Sequence, residues 1–111
     1  MKGWTAPGVA AALVAAFRLL PNAAIRGTAA IGAPHARTSK EVELLALTGK
    51  YLGETSLERV MLLSWGRARA SGHSIAALCA ARGWTRRRLY RRRDAAAAAV
   101  ARGLNQDGVP P

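Results

Sequence analysis

Acidic residues are scarce in this chain: six against 17 lysines and arginines, a net charge of +11 at pH 7. Cysteine is scarcer still, because Cys79 is alone and cannot form an intramolecular disulfide. A lone cysteine at this place reads as a small core residue in a reducing, cytoplasmic setting. With only His35 and His73 beside it, no zinc site can be assembled at these spacings, and no other metal or cofactor is expected. No His/Asp/Ser grouping and no glycine-rich phosphate loop after a strand is present, so an enzyme is not expected. Nor does any stretch approach the roughly 18 uncharged apolar residues of a membrane span. Met1-Lys2 and the apolar run over 8–16 imitate a signal peptide, but Thr5 and Pro7 look like a helix start and Arg18 interrupts the run. An amphipathic helix is the expectation there.

What is abundant is arginine, and it is localised. Seven of the 14 arginines lie between Arg82 and Arg93, with no acid among them. At 111 residues the chain makes one domain at most, able to bury roughly two-thirds of its unfolded surface. A concentrated basic run on so small a core repels itself unless a polyanion lies against it, which points to a binding face.

That run sits inside Ser74 to Asp94, read as SIAALCAARGWTRRRLYRRRD. Two helical segments, from Ser74 to Arg82 and from Arg86 to about Arg102, meet at Gly83-Trp84-Thr85. Glycine takes positive φ at a helix C-terminus without a Cβ penalty, and the Thr85 hydroxyl can accept from the N–H of Arg87 or Arg88 as an N-cap. The pattern predicts a helix-turn-helix. Its inner faces are Ile75, Leu78 and Cys79 against Leu89, Ala96 and Val100, with Trp84 plugging the corner. At about 100° per residue from Leu89, the side chains of Arg87, Arg91 and Asp94 point to solvent, with Arg86, Arg88 and Tyr90 on the flanks.

The remaining elements follow from caps and periodicity. Thr5 and Pro7 open a helix with an apolar stripe at Val9, Leu13, Ala16, Phe17 and Leu20, ended by Pro21. That stripe packs on the C-terminal bundle or forms a homo-oligomer contact. Residues 21–38, with glycine, proline and alanine but little periodicity, read as a linker or as a segment that carries one short helix. Thr38-x-x-Glu41 forms a capping box for a helix that stops at Gly49; Glu41 and Glu43, two apart, point in different directions and make no catalytic pair. Thr55-x-x-Glu58 opens a scaffold helix, with Leu57, Val60, Met61, Leu63, Ser64 and Trp65 as its apolar face and Gly72 as its stop. Arg67 and Arg69 near its end are candidates for phosphate contacts or for a solvated face. After the motif, Ala95 to Ala99 extend the last helix with the best helix former. Gly103, Asp107-Gly108 and Pro110-Pro111 mark a frayed tail. The expected fold is therefore all-α, a small bundle of about five helices with a C-terminal helix-turn-helix and a long last helix. Its divisions are an N-terminal helix (1–20), the linker (21–38), the helix-turn-helix domain (39–105) and a disordered tail (106–111).

From Ser74 to Leu104 the chain resembles the helix-turn-helix of sigma-factor promoter-reading domains, and more closely the small sigma-like proteins of alphaproteobacterial phages and prophages. The shared pattern is Ala77-Leu78-Cys79, Gly83 five residues after Leu78, then Trp84-Thr85-Arg86, Leu89, and an arginine cluster running into an alanine-rich helix that ends at Leu104-Asn105. Trp4-Thr5 and Phe17-Arg18-Leu19-Leu20-Pro21 resemble the opening of the same family, whereas residues 28–37 depart from it. The resemblance implies base-reading positions at Thr85, Arg86, Arg87, Tyr90, Arg91 and Asp94; Arg88 and Arg92 complete the expected DNA-facing set. It implies sequence-specific binding of double-stranded DNA by a phage or prophage transcription regulator. The alternatives are a small-terminase-like DNA-packaging subunit, whose other helices build a ring, and an adaptor whose arginine face meets RNA polymerase.

Overall fold

The computed structural model describes residues 3–23, 25 and 40–111, with Glu41 and Val42 described by backbone alone. Most of the expected linker and the Thr38–Glu41 capping box lie outside the described residues. Among those described, the chain forms five helices and no strand: α1 (Ala6–Leu19), α2 (Lys40–Leu52), α3 (Leu57–Ser71), α4 (Ile75–Arg82) and α5 (Arg86–Gln106). None of them is long and apolar enough to cross a membrane.

In α1 the Thr5 hydroxyl accepts from the Gly8 N–H at 3.1 Å, and the first turn carries proline, whose missing donor costs nothing there. Val9, Leu13, Ala16 and Phe17 are all buried. They share one hydrophobic cluster with Leu44 and Leu45 of α2, Leu62 and Leu63 of α3, and Ala96, Val100 and Leu104 of α5. The stripe considered for an oligomer contact is thus used inside the fold, and α1 belongs to the same core as the helix-turn-helix.

Two boundaries differ from the capping patterns. α2 runs through Gly49 and stops at Gly53, which takes a φ of 88°. Gly49 is buried instead, where an added Cβ would stand 3.2 Å from the Glu54 side chain. α3 is capped by Ser56, not Thr55: its hydroxyl accepts from the Arg59 N–H at 3.1 Å. Leu57, expected on the apolar face, is exposed, and Leu62 joins the core.

α3 is buried almost all round from Arg59 to Gly66, as expected of the central scaffold. Arg59 is the exception to its apolar character. Fully buried, it donates from Nε to Thr48 Oγ1 at 2.9 Å, from Nη1 to the carbonyls of Ile25 and Glu54 at 2.9 Å each, and from Nη2 to Leu45 O at 3.2 Å. One guanidinium thereby ties the end of α2 to the turn before α3 and to residue 25. Burial pushes the group below its ordinary pKa, with Glu54 opposing.

The end of the chain is also engaged. Gly103 is not a fraying point but lies within α5, against the ring of Tyr51. Asp107 accepts from Lys50 Nζ at 2.8 Å and from Tyr51 Oη at 2.6 Å. Trp4 donates from Nε1 to Val109 O at 3.1 Å, and its backbone exchanges two hydrogen bonds with the Asn105 side chain at 2.7 and 3.0 Å. Lys40 Nζ reaches Pro111 O at 2.6 Å. In the stretch expected as the tail, Asp107 and the carbonyls of Val109 and Pro111 thus meet donors from Trp4, ahead of α1, and from α2.

Candidate nucleic-acid interface

The helix-turn-helix is built by four caps in succession. Gly72 closes α3 in the left-handed region, and Ser74 Oγ accepts from the Ala77 N–H at 3.2 Å to open α4. Gly83, at φ 69°, lets Trp84 N reach back to Cys79 O at 2.9 Å. Thr85 Oγ1 then accepts from the Arg88 N–H at 3.1 Å, and α5 begins with no acid in its first turn. Gly72, Gly83 and Thr85 act as the sequence suggests, whereas Ser74, expected as the first residue of the helix, is its cap.

A second hydrophobic cluster fixes the angle between α4 and α5. Met61, Trp65, Cys79 and Leu89 are buried in it, with Ile75, Leu78, Trp84 and Tyr90 packed around them and Ala10 and Val14 of α1 closing one side. Leu89 is wholly buried, so the residues opposite it on α5 must face out.

They do: Arg87, Arg91 and Asp94 are exposed, and so are Thr85, Arg86 and Arg88 beside them. Thr85, Arg87, Arg88 and Arg91 line one open groove along α5 together with Arg92 and Ala95. Arg92 and Tyr90, also expected on this face, are half-buried. Arg92 Nη1 donates to Glu58 Oε1 at 2.6 Å, at the start of α3, so its charge is compensated within the fold. The Tyr90 ring lies on the second cluster under the guanidinium of Arg93, at 4.6 Å from its centroid. Arg93 is held in addition over Trp65, at 4.7 Å, and donates to Asp94 Oδ1 from Nε and Nη2 at 2.9 and 2.6 Å.

The run is therefore divided. Arg86, Arg87, Arg88 and Arg91 project from the first two turns of α5 as exposed cations, while Arg92 and Arg93 brace the helix against α3. No local pattern reveals that division, since Glu58 is 34 residues from Arg92. Arg67 is withdrawn as well: its Nη2 donates to Ala23 O and its guanidinium lies 5.3 Å from the centre of the Phe17 ring. Burial, with the charge of Arg82 adding to it, holds Arg67 below its ordinary pKa. Arg69, by contrast, is exposed.

No protein-family model matches the chain, and no curated protein and no solved structure matches it.

Proposed function

We propose that this chain binds double-stranded DNA sequence-specifically, with the first turns of α5 in the major groove, as a phage or prophage transcription regulator of sigma-like type. The observation that carries the reading is the set of four exposed arginines on the first turns of α5, with Arg87 and Arg91 opposite wholly buried Leu89 and Arg86 and Arg88 on the flanks. A rigid helix presenting cations at its N-terminal end meets the steric and chemical demands of the groove. An arginine fork pairs with O6 and N7 of guanine. Thr85 and the N-terminal end of the α5 dipole favour a phosphate oxygen.

The test is fluorescence anisotropy with random and genomic duplexes, each titrated with salt. Specific binding that weakens steeply with salt and loses its sequence preference in Arg87→Ala supports the proposal. Weak binding indifferent to sequence and to Arg87 removes it.

A further inference from the structure

The exposed arginine stripe of α5 has two unlike flanks. On one, Glu58 neutralises Arg92 and contributes acid to the first turn of α3. On the other, α1, α3 and α5 enclose a groove of about 670 Å³. Its rim carries Arg18 from the last turn of α1, Arg69 from the last turn of α3, and Arg93 with Asp94 from the middle of α5. Arg18 and Arg69 are exposed, and neither forms an ion pair among the described residues. Asp94 is the single acid on the groove, and Arg93 already holds it. α1 itself contains no acid.

Uncompensated guanidinium groups converging on one groove repel each other, and an anion laid along it removes that cost. The wall supplied by α1 has no apolar side chain larger than that of Val14, beside Ala6, Pro7, Ala10 and Ala11, so an extended chain can approach the helix closely. Position along α5 also fits. Asp94 lies eight residues after Arg86, or about 12 Å along the axis at about 1.5 Å per residue. That length is close to the roughly 12 Å width of the major groove. When the first turn of α5 reads base edges, its middle meets the edge of the groove, where the sugar-phosphate strand runs.

We infer that the α1/α3/α5 groove seats the phosphodiester backbone of the same duplex, with Arg18 and Arg69 as its phosphate contacts. The inference rests on the DNA-binding reading above. It gives α1 a part in recognition beyond packing, and it fixes which flank of α5 the backbone follows. Contacts of this kind position the protein and carry no sequence information.

The experiment compares the full chain with Arg18→Ala, Arg69→Ala and the double variant, on a preferred duplex and on an unrelated one. Arg102→Ala, which removes an exposed arginine near the far end of α5, is the control. Each substitution at Arg18 or Arg69 is expected to weaken both duplexes by the same factor and leave their ratio unchanged. The slope of log affinity against log salt should become shallower by about 0.9 per arginine removed. Arg102→Ala should change neither quantity, Arg18→Lys should restore the slope, and Ala11→Glu, a carboxylate placed on the groove wall, should weaken both duplexes. Melting temperatures verify that every variant folds. An unchanged slope in the folded double variant overturns the groove assignment while leaving DNA binding intact, as does an equal loss in Arg102→Ala. A wild-type chain that binds neither duplex overturns the DNA-binding reading, and the groove assignment with it.

Discussion

The guanidinium of Arg93 lies over two rings at once, 4.7 Å from the centre of Trp65 and 4.6 Å from that of Tyr90, and both its Nε and its Nη2 donate to Asp94. Five residues earlier, Arg88 is exposed and belongs to the free face. Neighbours in one basic run thus have different tasks. Each cation–π contact contributes about 0.5–1 kcal/mol at a partly exposed site. Arg93→Ala should therefore lower the thermal midpoint by several degrees, since about 1 kcal/mol moves a domain near this size by roughly 4–8 °C. Arg87→Ala should leave the stability within about 0.5 kcal/mol of wild type. Equal melting of the two variants in a thermal scan contradicts the division.

Arg59 links parts of the chain far apart in sequence through the carbonyls of Ile25, Leu45 and Glu54 and the hydroxyl of Thr48. Its removal leaves Leu45 O and Thr48 Oγ1 buried without this donor and frees the carbonyls of Ile25 and Glu54. Arg59→Ala should cost about 3–5 kcal/mol in denaturant unfolding. Arg59→Lys should recover little of it, because an ammonium cannot reproduce the planar fork. A near-neutral Arg59→Ala contradicts this role.

Gly103 lies inside α5, where replacing glycine by alanine ordinarily favours the helix by about 1 kcal/mol. Here an added Cβ would come within 2.3–2.7 Å of three ring atoms of Tyr51. Tyr51 cannot swing away without giving up its hydrogen bond to Asp107. Gly103→Ala is predicted to lower stability instead of raising it, and Gly103→Ala in a Tyr51→Ala background to regain the ordinary helical preference. Chemical denaturation of the three variants decides the sign.

The Asp107 carboxylate is held below its ordinary pKa of 3.8 by hydrogen bonds from Lys50 and Tyr51. Lys50 is held above its ordinary 10.5, mainly by the same bond, and Tyr51 above 10.0, by burial first and then by Asp107. A depressed carboxylate contributes stability that is present above 3.8 and disappears as pH falls through its lower folded value. The raised lysine and tyrosine contribute below their ordinary values and lose that contribution as pH rises through the folded ones. The contact is exposed, so the effect is small and weakened by salt. Asp107→Asn should flatten the acid limb of the melting temperature measured from pH 5 to pH 2. An acid limb as steep as wild type contradicts the assignment.

The helix-turn-helix is legible in the sequence because its determinants are local. Ser74, Gly83 and Thr85 each act on a backbone group within a few residues, and counting from Leu89 separates the exposed face from the buried one. Where two residues of the same kind stand near each other, local signals mislead: Ser56 caps α3 one residue after Thr55, and Gly53 stops α2 four residues after Gly49. Tertiary effects leave no such trace. Arg59 looks like a surface residue until the carbonyls that surround it are brought together, and Arg92 looks like a free cation until Glu58 is placed beside it. The contacts of residues 107–111 leave no local trace either, since they are made with Trp4, Lys40, Lys50 and Tyr51.

The central claim is that the exposed arginines of α5 read DNA sequence. The most direct measurement is the ratio of affinities for a selected duplex and a random one, by anisotropy at about 150 mM salt, for wild type, Arg87→Ala and Arg91→Ala. The account predicts a wild-type preference on the order of 10³-fold or more. It predicts that each variant, with an unchanged melting temperature, discards about 1–3 kcal/mol of that discrimination. A ratio near one for wild type, or a ratio that the two substitutions leave untouched, contradicts it.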